Sequence, residues 1–367
     1  MSILNIPVTR GKYTFTKPLF FVMVALALIL TACSSGTQAT SPTSTAGTTG
    51  SVPQQSGNLP IVSPELNISL FAAGTTAYYA PDAVEVNNGH VFIDYQNTTP
   101  KDCTDKTTST IVEYTMDGKV VKTFSVPGHS DGMRADPTTH LLWVTSCEDG
   151  NPKFVTIDPT SGTVTPYTLP NSPHGGGFDD LYFLNGMTFI VASNPTLNSA
   201  GVNVFPAIYT ITLGSGKATL KPVLMGNAPA YDTVAKANTP LNLVDPDSLT
   251  VDMKGDLVLV DQGGSDIIYI SNPGTPQQSV SRTPVGTQLD DTVWATTAHG
   301  RFLLTDGVKN ATYWIGSTFG FHPGAVYTET PDDSGVVGLF GLLDPDTGFV
   351  TPRALNFLKA TGLLFVP

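Results

Sequence analysis

The sequence predicts an all-β fold, a six-bladed β-propeller closed by N- and C-terminal strands in one blade. Composition is the first sign. Charged residues make up only 13% of the 367 residues while Gly (35) and Pro (29) abound, which suits many short strands and tight turns. The second is an internal repeat in which an Asp leads an alternating apolar strand, then a turn, then a more apolar strand. The third is a set of hairpins at matching places, with Asp-Gly or Asp-Pro-x-x-Gly turns between period-two strands.

The first copy of the repeat is Asp82-Ala83-Val84-Glu85-Val86, a turn at Asn88-Gly89, then Val91-Phe92-Ile93. The second runs from Asp131 to Ala135 and leads to Leu141-Leu142-Trp143-Val144. The third is Asp180 to Leu184, turning at Asn185-Gly186 into Phe189-Ile190-Val191. The fourth is Asp247 to Val251, turning at Lys254-Gly255 into Leu257-Val258-Leu259-Val260. The fifth is read as Asp291 to Ala295, turning at His299-Gly300 into Phe302-Leu303-Leu304. A sixth copy begins at Thr361, without the Asp, and its outer strands are expected from the N-terminal stretch around Leu66 to Leu70. Outer hairpins turn at Asp117-Gly118, at 158–162 and at 344–348. Radial blades leave only short protected edges. The unequal spacing of the leading residues (49, 49, 67, 44 and 70) excludes a strict repeat. It keeps seven blades open, should one of the two longest intervals hide another.

Residues 1–32 read as a lipoprotein signal peptide: Arg10, Lys12 and Lys17, then an apolar run from Leu19 to Leu30, then small residues. Leu30-Thr31-Ala32-Cys33 resembles a bacterial lipobox, which makes Cys33 the lipidation site and places the chain in the cell envelope, on the extracytoplasmic side of a membrane. Residues 33–60, rich in Ser, Thr and Gly, read as a flexible tether, and 61–367 as the propeller domain. Cleavage removes three basic residues and no acidic one, leaving 15 basic against 30 acidic, a net −15. Such a surface repels phosphate backbones, so nucleic acid is not an expected partner. The membrane is expected through the anchor alone, and a small molecule or a protein as ligand. Cys103 and Cys147 form an even pair in an oxidising compartment and are expected to be bridged.

On this rhythm of blades and turns the chain resembles the six-bladed group of NHL-repeat and SMP-30/gluconolactonase-like proteins, and most closely exported bacterial lipoproteins of that shape. The resemblance covers 61–367. It implies a metal site in which a Glu opens the first inner strand and an Asn–Asn–Asp set completes the ligands. Asp82 stands here at the place of that Glu, and the other ligands find no residue-by-residue match.

The inner strand of each blade lines the central channel, so Asp82, Asp131, Asp180, Asp247 and Asp291 are the candidate binding or metal residues at one mouth of it. Converging carboxylates repel, which raises their pKa values or recruits a hard cation such as Ca2+ or another divalent ion. The same Asp residues are also ordinary turn caps. Loops between second and third strands open on the same side, giving the rim candidates Glu148, Asp149, Asn194, Asp261 and Asp306. His129 and His174 precede inner strands, and Asp179 precedes Asp180. His174-Gly175-Gly176-Gly177 resembles an esterase oxyanion loop, but no Gly-x-Ser-x-Gly elbow accompanies it. Three function classes follow. The first is a ligand- or protein-binding module with an acidic central funnel. The others are a metal-dependent hydrolase (lactonase- or esterase-like) or lyase, and a structural envelope protein.

Overall fold

A computed structural model describes residues 60–331 and 337–367; Cys33 and the tether through residue 59 lie outside the described residues. All regular structure among the described residues is β. Six small sheets form a ring, a six-bladed propeller. Blade I, from the centre outward, is Pro81–Asn87, His90–Tyr95, Thr108–Thr115 and Val120–Pro127. Blade II is Ser130–Ala135, Leu142–Ser146, Lys153–Asp158 and Thr163–Tyr167. Blade III is Phe178–Leu184, Met187–Ala192, Pro206–Gly214 and Lys217–Met225. Blade IV is Pro246–Val251, Leu257–Asp261, Asp266–Ser271 and Ser279–Pro284. Outside it lies an extra hairpin, Pro229–Asp232 with Ala237–Pro240. That hairpin accounts for the long interval between Asp180 and Asp247, so no seventh blade is needed there.

Blades V and VI correct the fifth repeat. Thr292–Trp294 does not pair with Arg301–Asp306 across His299-Gly300; its partner is Val326–Thr330, with Thr292 opposite Thr328. The chain instead crosses to blade VI, where Arg301–Asp306 pairs with the C-terminal strand Ala360–Val366 and then with Ala311–Ser317. It returns for Val326–Thr330, Gly338–Leu343 and Val350–Phe357 of blade V. The crossing is held by backbone bonds from Ala295 to Ala325 and from Phe321 to Ala298. Only the outermost strand of blade VI, Leu66–Ala73, comes from the N-terminal side. The closure therefore uses both ends of the chain, as expected, but the two middle strands are internal. Ile61–Val62 also adds to the edge of blade V, so this N-terminal segment straddles two blades.

Alternation puts one face of every strand against the next blade. The result is six apolar clusters, one in each interface between neighbouring blades. Phe92, Ile111 and Val126 of blade I, for example, meet Met133, Leu142 and Val155 of blade II. Trp294 is buried between blades IV and V, with Val258 and Ile267.

The inner strands share an irregularity that prepares the site. In blades I to IV the pairing skips at Pro81/Val84, Ser130/Met133, Phe178/Leu181 and Pro246/Leu249. In blade VI it skips around Thr361. Each is a β-bulge in which two residues oppose one, re-aiming side chains at the strand start. The bulged residues are Asp82-Ala83, Asp131-Gly132, Asp179-Asp180 and Asp247-Ser248, which hold four of the five recurrent Asp positions.

Candidate functional site: an acidic central funnel

The bulged strand starts converge on one cavity of about 350 Å3 at the channel mouth. Asp82, Asp131, Asp180, Asp247 and Asp291 all line it. So do Asp179, Glu148, Asp149 and Asn194, the last three from loops that follow second strands. Sequence reasoning did not single out the remaining lining groups with chemistry: Asp245, Asp290, Gln96, Gln262 and the cations Lys101, Arg134 and Lys359.

The carboxylates divide by what they touch. Asp180 accepts a bond from the Leu249 amide of blade IV (2.9 Å) and pairs with Arg134 at 2.6 Å. Asp291 accepts from the Leu363 amide of blade VI (2.8 Å). These two tie neighbouring inner strands and close the ring. Arg134 also donates to the Leu249 carbonyl (3.1 Å), locking a guanidinium among the inner strands. Their partners in the doublets, Asp179 and Asp290, meet other carboxyls instead. Asp247 is in hydrogen-bonding contact with both Asp179 and Asp290, and Glu148 with Asp179. Carboxyls this close need a proton or a cation between them. Accordingly Asp131, Asp179, Asp247 and Asp290 all titrate well above the usual carboxylate range, first through burial and then through the neighbouring charges.

Two groups of side chains here lie close enough together to hold a metal ion: His129, Asp131 and Glu148, and Glu148, Asp179 and Asp247; all but His129 line the cavity. Within each, one ligand atom per residue lies within 4.8 Å of the others. His129 is 4% exposed. Its Nδ1 lies 2.6 Å from the Thr99 carbonyl, to which it donates, so Nε2 carries the lone pair. That Nε2 is buried with no protein partner, as is Oδ2 of Asp131. Burial lowers the His129 pKa, keeping the ring neutral. A neutral imidazole oriented by a backbone carbonyl is the arrangement of a metal ligand.

The loops that carry these groups are stapled. Cys103 and Cys147 form a disulfide between the rim loops of blades I and II, and the His129 amide points to Cys103 Sγ at 3.3 Å. The Gly-rich loop ahead of blade III serves packing. A Cβ on Gly177 would lie 1.9 Å from the Cys147 carbonyl oxygen, and the Gly177 amide bonds the Glu148 carbonyl at 2.6 Å. Only glycine allows this approach, which fixes Glu148. His174 is fully buried, its Nε2 bonded to the Gly177 carbonyl (2.7 Å), and is absent from the cavity lining. Asp261 and Asp306 are likewise absent from it. Asp261 accepts from the Asp245 amide (2.8 Å) and Asp306 from the Leu358 and Lys359 amides (2.9 and 3.1 Å). They hold the chain leading into inner strands IV and VI and so place Asp245 and Lys359 on the wall.

No protein-family model matches this chain, and no curated protein does. Among solved structures it is similar to a streptogramin B lyase, at 14% identity over 80% of this chain and 88% of that one, with a TM-score of 0.46. A putative gluconolactonase is 11% identical over 82% and 86%, TM-score 0.46. The virginiamycin B lyase of Staphylococcus aureus is 13% identical over 83% and 89%, TM-score 0.41. At this distance these likenesses assign no activity.

Proposed function

We propose that the protein is a lipid-anchored extracytoplasmic binding module whose acidic funnel holds a divalent cation and captures a small, oxygen-rich ligand beside it. The observation that carries the reading is His129. Its buried, unpartnered Nε2 stands next to carboxylates that need a counter-charge. An inert rim has no use for that arrangement, whereas Asp residues that only brace the chain are satisfied by backbone amides, as Asp261 and Asp306 are. His129, Asp131, Glu148, Asp179 and Asp247 would supply the ligand atoms. A bound cation would neutralise the cluster and polarise a carbonyl or hydroxyl oxygen of the ligand. The anchor at Cys33 rests on the lipobox and the abrupt change of composition after it.

A second reading, a metal-dependent hydrolase or lyase, is favoured by Asp245. Burial first, and then the Glu148 charge, push its pKa up to about 6 on the same cavity wall. A carboxyl that exchanges its proton near neutrality is suited to general acid–base chemistry.

The test is a thermal melt of the chelator-treated protein with Ca2+, Mg2+ or Mn2+ added. A ligand that binds only the folded form stabilises it by about 2.7 kcal/mol at a hundredfold excess over Kd. A saturable, ion-specific rise in Tm is expected, and a smaller one in Asp247→Ala. No rise with any ion would overturn the cation reading. Turnover of simple lactones or esters by the cation-loaded sample would select the enzyme over binding alone.

A further inference from the structure

We infer that the funnel holds two divalent cations rather than one, bridged by Glu148. The inference rests on the cation reading above and deepens it.

Glu148 belongs to both ligand groups, with His129 and Asp131 on one side and with Asp179 and Asp247 on the other. The buried side chain of His129 aims its unpartnered Nε2 into the first group, and Asp131 Oδ2 is a second buried atom there without a partner. A cation seated among His129, Asp131 and Glu148 satisfies both. It leaves Asp179 and Asp247 facing each other with no positive charge between them. Two of the three cations on the wall are already engaged, and the third, Lys359, forms no ion pair with Asp179 or Asp247. Arg134 is committed to Asp180 at 2.6 Å and Lys101 to Glu148 at 2.5 Å.

The charge count points the same way. Ten carboxylates and three cationic side chains line the cavity, a net −7 if all are ionised. One divalent ion leaves −5 and two leave −3. Mutual repulsion of two cations is offset when a carboxylate bridges them, and paired metal sites of about 3.5–4 Å separation are built in this way. A carboxylate offers one oxygen to each ion. The Lys101 ammonium now on Glu148 Oε1 belongs to a side chain that is 47% exposed, free to swing to solvent as the second ion enters. The donor sets differ. The His129 side offers nitrogen and oxygen and the Asp247 side oxygen alone, so the first suits Mn2+ or Zn2+ and the second Mg2+, Ca2+ or Mn2+. Mn2+ is the one probe suited to both.

The experiment titrates Mn2+ into the chelator-treated protein, followed by calorimetry and by low-temperature electron paramagnetic resonance. Two Mn2+ per chain are expected, with an exchange-coupled spectrum at two equivalents. His129→Ala and Asp247→Asn should each reduce the stoichiometry from two to one and remove the coupling. Glu148→Gln should remove the coupling as well. The wild-type titration decides even if a variant fails to fold. One uncoupled Mn2+ per chain overturns the pair and leaves the single-cation reading intact. Two uncoupled ions overturn the Glu148 bridge. No binding at millimolar Mn2+ overturns both readings together.

Discussion

Lys101 and Arg134 are both cations in an acidic wall, and their surroundings give them opposite consequences. Arg134 is held by Asp180 and the Leu249 carbonyl between inner strands, so it is part of the ring. Lys101 reaches in from a rim loop with a half-exposed side chain. Burial alone would raise the pKa of Glu148, but the Lys101 charge and the surrounding hydrogen bonds bring it down to about 2. Lys101 thus acts as a tethered counter-ion on a carboxylate that a divalent cation would also use. Lys101→Met should therefore tighten cation binding by roughly tenfold, about 1.4 kcal/mol, as read by calorimetric titration. Weaker binding would mean that Lys101 positions Glu148 rather than competes for it. Neither cation stood out in the sequence, because a lone Lys or Arg has no spacing to betray it. The recurrent Asp was visible because it stands at the start of the inner strand in five of the six blades. Which member of Asp179-Asp180 or Asp290-Asp291 ties neighbouring inner strands and which meets other carboxyls depends on contacts with the next blade, and local alternation carries no trace of those.

Among the elements, the rim loops of blades I and II matter most to the site. The Cys103–Cys147 bridge spans 44 residues of sequence and lies within two residues of Lys101 and directly beside Glu148. Gly128 packs against it: with φ at +86°, a Cβ there would sit 2.4 Å from Cys103 Sγ, and His129 follows. Opening the bridge should loosen all three groups. The double variant Cys103→Ser, Cys147→Ser is expected to lose about 2–4 kcal/mol of stability and to weaken cation binding in the same titration. An equal loss of stability with unchanged affinity would make the staple purely structural. The pairing itself was legible, since Cys103 and Cys147 are the two cysteines left once Cys33 is read as a lipobox cysteine. Blades V and VI were not. His299-Gly300 has the composition of a hairpin turn, and the strands on either side keep the right alternation. What overrides them is tertiary: Arg301–Asp306 finds its partner in the C-terminal strand some sixty residues on, a pairing no local window contains.

At the scale of the whole molecule, the fold carries an unusual load of buried acid. Asp261 and Asp291 are each pushed up to about 7, first by burial; nearby carboxylates add to the shift in both cases, while an amide bond to each and, for Asp291, the Arg134 charge oppose it. In an unfolded chain such groups titrate near 3.9. Between about pH 4 and pH 7 the folded state therefore binds more protons than the unfolded state. The derivative of unfolding free energy with pH is negative in that window, so stability falls as pH rises through it. The net charge of −12 acts in the same direction through self-repulsion. This is the reverse of the common acid-denaturation profile, in which paired carboxylates have lowered values. In chelator, Tm should be higher at pH 5 than at pH 8, by on the order of 5 °C. Saturating divalent cation should narrow the gap, because it supplies at pH 8 the positive charge that protons supply at pH 5. A Tm that stays flat or rises from pH 5 to pH 8 in chelator would show that the buried carboxyls are not protonated in the folded protein. The funnel would then owe its stability to Arg134, Lys101 and Lys359 alone.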